Sequence, residues 1–225
     1  MEFWNQNDRK SVISLKIGTQ FWNELLTKAS WEKLQEFSKE FDFILIGGWA
    51  AYLWTKQHKS KDIDIIVDYE TLAGLQSRYR LEKNERLRKY EIKFEKFDID
   101  IYVPFFSKLA LPLEDIVKEH TTKIENIKTI KAEILLILKQ GAEIDRRNSV
   151  KGIKDSIDII TLLYYAPVEW KKYFELLKKY KLENYRKELL HVINTFQDDN
   201  IKYLGVNFQQ FKKWKRKTIE EIGRS

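Results

Sequence analysis

Short segments of alternating or wholly apolar residues in the first half of the chain predict β-strands. Residues 43–46 (FILI) form an apolar run, and residues 61–68 (KDIDIIVD) alternate polar and apolar positions before turning apolar. Residues 89–103 (KYEIKFEKFDIDIYV) alternate for most of their length, which predicts two strands or one long bent strand. Residues 122–130 (TKIENIKTI) are a further strand candidate.

Helical spacing of apolar residues occurs on both sides of these strands. Residues 19–29 and 30–41 predict helices, with Ser30 as an N-cap. Further helices are expected from residue 49 to about residue 55, over 69–84 and over 113–120.

From Lys131 onwards the pattern is almost entirely helical. Helices are predicted over 132–147 and over 153–165, followed after Pro167 by about three amphipathic helices. A mixed α and β region followed by a helical region predicts an α+β fold, in which a mixed β-sheet core flanked by helices precedes a helical C-terminal domain.

Composition limits the class of protein. The chain has 225 residues, of which 43% are hydrophobic, so it is long and apolar enough to form a core. It has no cysteine, which excludes disulfides and thiolate metal sites. The first ten residues lack the apolar segment of a signal peptide, and no apolar run is long enough to cross a bilayer. We therefore expect a cytoplasmic protein without membrane partners.

The net charge of +7 is concentrated near the C-terminus. Residues 168–225 contain 14 Lys and Arg against 8 Asp and Glu. One interpretation is a solvated, lysine-rich helical surface, and the other is a patch that binds RNA or DNA.

Two pairs of aspartates occur in the predicted strands. Asp62 and Asp64 are two residues apart, so they lie on one face of a strand and repel each other unless a cation lies between them. Mg²⁺ takes such oxygen ligands, although exposed carboxylates paired with Lys59 or Lys61 are the alternative.

The second pair, Asp98 and Asp100, also shares one face, so alternation alone leaves either residue as the third ligand. Asp100 is closer to the end of its strand and to the loop at Pro104, whereas Lys93 or Lys96 can hold Asp98. We therefore expect Asp62, Asp64 and Asp100 to form a metal cluster of the kind that promotes in-line phosphoryl chemistry.

Gly47 and Gly48 separate the apolar strand at 43–46 from the following helix. Glycines at this position allow a close approach of the backbone to another strand or to a phosphate bound at the helix N-terminus.

This arrangement, with Gly-Gly before an Asp-x-Asp strand and a later aspartate strand, resembles the nucleotidyltransferase (polymerase-beta-like) superfamily. The stretch 47–67 (GGWAAYLWTKQHKSKDIDIIV) is most similar to the AbiEii-like toxin nucleotidyltransferases, although Trp49 stands where the superfamily often has Ser or Thr. The resemblance implies that Gly47 and Gly48 contact the triphosphate of an NTP. It also implies that Asp62, Asp64 and Asp100 are catalytic and bind two Mg²⁺ ions.

The helical stretch 138–163 also resembles a helical segment of the AbiEii-like group. The resemblance assigns nucleotide binding to four positions: Lys139, Arg146, Lys154 and Asp155. Asp158 also matches, with less weight, and the alternative for all of them is helix-stabilising ion pairs.

The resemblance implies transfer of NMP from an NTP to an acceptor hydroxyl by a catalytic domain at 1–110, with a helical domain at 111–225. The acceptor would be the 3′ end of a tRNA or another RNA, a protein side chain or a small molecule, and a cognate antitoxin would be a partner. The rival interpretation is a non-catalytic nucleic-acid- or partner-binding protein on the same scaffold. The sequence contains no P-loop, HExxH or GxSxG motif.

Overall fold

The computed structural model describes residues 24–224. The helices are α1 Glu24–Glu40, α2 Gly47–Thr55, α3 Tyr69–Arg78, α4 Leu113–Glu119, α5 Ala132–Arg146, α6 Val150–Tyr165, α7 Trp170–Lys179, α8 Asn184–Thr195 and α9 Phe208–Arg224, with a 3₁₀ helix at Asp198–Leu204. The strands are β1 Ile44–Ile46, β2 Ile63–Ile66, β3 Glu82–Asn84, β4 Lys89–Lys93, β5 Asp98–Tyr102, β6 Thr121–Ile124 and β7 Ile127–Ile130.

Within residues 24–224, seven strands form one mixed sheet in the order β3-β4-β5-β2-β1-β7-β6. β2 pairs in parallel with β5, and β1 pairs in parallel with β7, whereas the other neighbours are antiparallel. This sheet with its surrounding helices confirms the predicted α+β class.

The central strands and two long helices form the core. β1, β2 and β5 contribute buried isoleucines, which explains why their sequences are rich in β-branched residues. α5 packs along α6, and α2 contacts both helices. Trp49 at the start of α2 is fully buried, so the apolar run that follows the glycines belongs to the core.

The β6–β7 hairpin extends the sheet beyond residue 110. Leu45 of β1 lies opposite Thr129 of β7, and the Thr129 hydroxyl donates to the Leu45 carbonyl at 2.8 Å. The boundary expected at residue 110 therefore assigns α4 and two strands of the sheet to the second segment, in which the described elements are all helical only from Ala132 onwards.

Two local predictions were wrong. Ser30 is not an N-cap, because it lies inside α1, where its hydroxyl donates to the Ser60 carbonyl and accepts from Trp49 Nε1. The helix expected over 69–84 ends at Arg78, since residues 82–84 pair with β4 instead. Residues 19–23 of the first predicted helix lie outside the described residues, and none of the helices in 24–224 is long and apolar enough to cross a membrane.

Candidate active site

A cleft of about 330 Å³ lies between the sheet and the helices α5 and α6. Its lining includes six of the residues singled out from the sequence: Gly47, Asp64, Asp100, Lys139, Arg146 and Asp155. It also includes four polar residues that the sequence did not indicate: Lys89, Tyr102, Lys108 and Lys151. Gly48, Asp62 and Lys154 are not part of this lining.

Asp64 and Asp100 form the acidic centre of the cleft. They are directly opposite each other in the parallel pair of β2 and β5, so their side chains lie on the same face of the sheet. Neighbouring strands are about 4.8 Å apart, which brings the two carboxylates together. The pairing of two strands 36 residues apart in the chain thus creates the site.

Both carboxylates are held in a protein environment that opposes ionisation. Burial raises the pKa of Asp64, and the charge of Asp62 adds to this effect, although Lys139 acts in the opposite direction. Burial and the neighbouring Asp64 charge raise the pKa of Asp100 to about 7, although Lys89 opposes the shift. A cation between the two side chains would remove this repulsion.

Lys89 already supplies one positive charge to this centre. Its Nζ lies 2.5 Å from Asp100 Oδ2 and 3.0 Å from Glu91 Oε1. Burial alone would lower its pKa, but the hydrogen bonds and charges of Asp100 and Glu91 raise it on balance, so Lys89 is an ammonium ion. Lys89 could not be selected from the sequence alone, because its role depends on the register in which Glu91 lies opposite Asp100.

Both glycines are explained by close packing at the end of β1. Gly47 has a φ of +67°, and a Cβ there would lie 2.0 Å from Asp64 Oδ2. A Cβ on Gly48 would lie 2.4 Å from the Ser60 hydroxyl and 3.7 Å from Lys154 Nζ. The Gly-Gly pair therefore makes room for the Asp64 carboxylate and for Ser60, whether or not a phosphate also binds here.

Asp62 and Asp98 lie outside the cleft. Asp62 is half exposed, and its Oδ1 accepts the Asp98 backbone N–H at 3.1 Å. Among residues 24–224, no three His, Asp or Glu side chains form a group that could hold a metal ion, so the structure does not assemble all three expected ligands. The assignment of Asp62, Asp64 and Asp100 to a metal stays a prediction.

The cationic residues from α5 and α6 are paired with buried carboxylates. Asp158 Oδ2 accepts from Lys139 at 2.6 Å and from Lys154 at 3.0 Å. Burial alone would raise the pKa of Asp158, but these two ammonium groups hold it well below its ordinary value. These residues therefore form a structural ion-pair network as well as one wall of the cleft.

Arg146 is held by Asp155. Its Nε and Nη2 donate to the two oxygens of the buried Asp155 carboxylate at 2.6 and 3.0 Å. The Arg146 side chain is still 44% exposed, and within residues 24–224 no hydrogen bond from its Nη1 to the protein is present. Asp155 therefore orients Arg146 in the cleft, and its assignment to nucleotide binding stays a prediction.

No protein-family model matches the sequence, and comparison with curated proteins finds no match. Among solved structures, the chain is similar to an antigenic nucleotidyltransferase-like protein from Paracoccidioides brasiliensis, with 16% identity and a TM-score of 0.41, over 75% of this chain and 94% of that protein. It is also similar to JHP933 from Helicobacter pylori, with 16% identity and a TM-score of 0.38, over 90% of this chain and 98% of that protein. Neither likeness carries a function to this chain.

Proposed function

We propose that this protein is a metal-dependent nucleotidyltransferase, which transfers NMP from an NTP to an acceptor hydroxyl. The observation that carries the proposal is the pair of opposed carboxylates, Asp64 and Asp100, in a cleft that also holds Arg146. The sequence motifs around Gly47 and Asp64 support the same reaction. The combination of acidic and basic groups suits a phosphate substrate bound together with a divalent cation.

The donor set of the cleft fits Mg²⁺. Mg²⁺ is usually bound by one or two carboxylates together with substrate phosphates, and Asp64 and Asp100 supply two adjacent carboxylates whose pKa values are raised by burial and mutual repulsion. Bound there, Mg²⁺ would neutralise these charges and bind phosphate oxygens. In the proposal, Asp62 contributes to the second of the two ions.

The remaining residues of the cleft bind and orient the triphosphate. Arg146, Lys108 and Lys151 bring positive charge to the same cleft as the carboxylates, and Asp155 fixes the guanidinium of Arg146. Such fixed cations stabilise the charge that develops on the leaving pyrophosphate. Lys139 adds positive charge from within its ion-pair network, and Gly47 and Gly48 allow the phosphates to approach the start of α2.

The acceptor in this proposal is the 3′ hydroxyl of a tRNA or another RNA, and a protein side chain or a small molecule is the alternative. A toxin-like role in the cytoplasm, countered by a cognate antitoxin, belongs to the same proposal. The support for RNA is the excess of Lys and Arg in residues 168–225.

The test is incubation of the protein with each α-labelled NTP, Mg²⁺ and total RNA, followed by identification of the labelled product. Asp100→Asn should abolish the transfer, because it removes one carboxylate of the central pair. Asp98→Asn is the matched control, since Asp98 is on the same strand and face but outside the cleft, and it should keep most of the activity. Equal losses in both variants, or equal retention, would contradict the assignment of Asp100.

A non-catalytic binding protein is the second candidate, and the contact between Lys89 and Asp100 favours it. The Lys89 ammonium occupies one side of the carboxylate pair, so the site is partly neutralised without any metal. Thermal melting distinguishes the two candidates, because a ligand at 100 times its Kd stabilises the folded state by about 2.7 kcal/mol. A shift that requires both Mg²⁺ and an NTP supports the enzyme, whereas no shift with any NTP supports the binding protein.

A further inference from the structure

Phe105 is an exposed aromatic residue whose backbone adopts a positive φ, which is unfavourable for phenylalanine. It follows Pro104 in a turn in which the Phe106 N–H donates to the Val103 carbonyl at 3.3 Å. Its φ is +65°, as at the third position of a type II turn, where Gly or Asn is preferred. Its side chain is nevertheless 78% exposed. Neither the backbone of this turn nor the packing of the core explains a phenylalanine at this position.

The turn lies at the edge of the candidate active site. It directly follows β5, the strand that carries Asp100, and Lys108 and Leu109 just beyond it line the cleft. Arg88 Nε donates to the Phe106 carbonyl at 2.6 Å, which joins the turn to the β3–β4 connection. Leu87 in that connection lines the cleft and is also exposed. We call residues 86–88 and 104–108 together the Phe105 lip.

The Phe105 lip contains three cations and no carboxylate: Arg86, Arg88 and Lys108. Of the two lysines nearby, Lys83 pairs with Glu85 at 2.7 Å, and Lys89 is buried against Asp100. Lys83 Nζ and the Arg88 guanidinium lie 4.8 and 5.6 Å from the centre of the neighbouring Phe106 ring. The lip thus combines an exposed aromatic ring, Phe105, with cations in the adjoining chain segments. Proteins bind single-stranded nucleic acid with this combination, because bases stack on the ring and phosphates contact the cations.

We infer that the Phe105 lip binds a single-stranded nucleic acid, with one base stacked on Phe105. The inference deepens the proposed function, because the bound strand would be the acceptor of the transfer and would lie beside Asp100. Only this role as acceptor rests on the proposed function. An apolar peptide would gain nothing from the cations of the lip, so charge complementarity favours the nucleic acid.

The test measures binding of a short fluorescent oligoribonucleotide by anisotropy, in EDTA and without NTP, so that no reaction is required. Phe105→Gly and Phe105→Asn both suit the positive φ and should melt no lower than the wild type. Both should weaken RNA binding about tenfold, which is within the range for loss of one stacked base. Phe105→Tyr should keep the affinity. Leu25→Ala is the control, because Leu25 is 76% exposed on α1, which contributes no residue to the cleft.

The outcomes separate this inference from the proposed function. Wild-type protein that does not bind the oligoribonucleotide, or Phe105→Gly and Phe105→Asn variants that bind it normally, would overturn the inference even if NMP transfer is observed. A loss in Phe105→Tyr equal to that in Phe105→Gly would also overturn it. If RNA binding depends on Phe105 but the protein transfers no NMP to any acceptor, the inferred role of the Phe105 lip is supported and the proposed nucleotidyltransferase function is contradicted.

Discussion

At the scale of single residues, the buried carboxylate of Asp64 lowers the stability of the folded protein. Its carboxylate is buried, with a raised pKa, so ionisation at neutral pH opposes folding in the absence of a metal. We therefore predict that Asp64→Asn melts about 2–4 °C higher than the wild type in EDTA, a shift that corresponds to about 1 kcal/mol in a chain of this length. Differential scanning calorimetry would measure the shift.

Asp62→Asn is the matched control for this prediction. Asp62 is half exposed and accepts a backbone N–H from Asp98, so its replacement should change the melting temperature little. An Asp64→Asn variant that melts well below the wild type would mean that Asp64 is a structural residue rather than one held for a cation.

The raised pKa of Asp100 predicts a pH-dependent stability. Because its pKa rises from 3.8 to about 7 on folding, the folded state binds the proton more tightly than the unfolded state. The resulting stabilisation is complete below pH 3.8 and is lost as the pH rises through about 7. In EDTA, the free energy of unfolding from urea titrations should therefore fall between about pH 4 and about pH 7.

Asp100→Asn should flatten this pH dependence, because the amide does not titrate in that range. Asp98→Asn should keep most of the dependence, since Asp98 has only a moderately buried side chain. A slope in Asp100→Asn equal to that of the wild type would assign the effect to another group.

At the scale of elements, the turn between β1 and α2 depends on its first glycine for two reasons. Gly47 has a φ of +67°, and an added Cβ would collide with Asp64 Oδ2. Gly205 has nearly the same φ, +66°, but open space around it. Gly205→Ala should therefore lose only the conformational cost of about 1–2 kcal/mol.

Gly47→Ala should lose more stability than Gly205→Ala, because it adds the collision with Asp64 to the same backbone cost. Urea denaturation of both variants measures the difference. Equal losses would mean that Asp64 moves away freely and that its position in the cleft is not fixed by the turn.

The α5–α6 pair contains the buried contact between Lys139 and Asp158, at 2.6 Å. Lys139→Met removes one of the two ammonium groups beside a buried carboxylate, and we expect a loss of about 3 kcal/mol. Lys56→Met is the control, because the Lys56–Glu125 pair has a similar distance, 2.7 Å, but is exposed and should contribute less than about 1 kcal/mol. Unchanged stability of Lys139→Met with weaker NTP binding would instead give Lys139 a purely ligand-binding role.

The elements that the sequence predicted correctly are those with a local signal. The apolar run of β1 and the alternation in β2, β4 and β5 follow from the two-residue period of a strand. β3 was missed because Glu82–Asn84 is a short, charged edge strand that is recognised only through its pairing with β4. The Asp64–Asp100 pair could be predicted as a possibility, whereas Lys89 and the backbone of Phe105 could not. The role of Lys89 depends on the register of β4 against β5, and the conformation of Phe105 is one that phenylalanine disfavours.

At the scale of the whole molecule, α9 is the second strongly basic surface, after the Phe105 lip. Phe211, Thr218 and Ile222 are buried, so the helix packs through one face, and its cations lie mainly on the other. Lys215 donates to the Asn194 carbonyl in the last turn of α8, and Lys217 is 3.5 Å from Glu221. In the part of the chain that the structure describes, Lys212, Lys213 and Arg216 are exposed and form no ion pair with the protein. These three are therefore the cations of α9 best placed to bind phosphates.

If α9 binds RNA phosphates, its affinity for RNA should fall steeply with salt, because bound phosphates release counterions. The logarithmic slope for single strands is about −0.7 per neutralised phosphate. Replacing Lys212, Lys213 and Arg216 by Ala should therefore flatten the slope by about two units, as measured by anisotropy over a series of salt concentrations. The control replaces three exposed lysines on α1 and α4, which lowers the net charge equally: Lys28, Lys39 and Lys118. A slope that flattens equally in both variants would reflect net charge alone, and an unchanged slope in the α9 variant would leave this helix as an ordinary solvated surface.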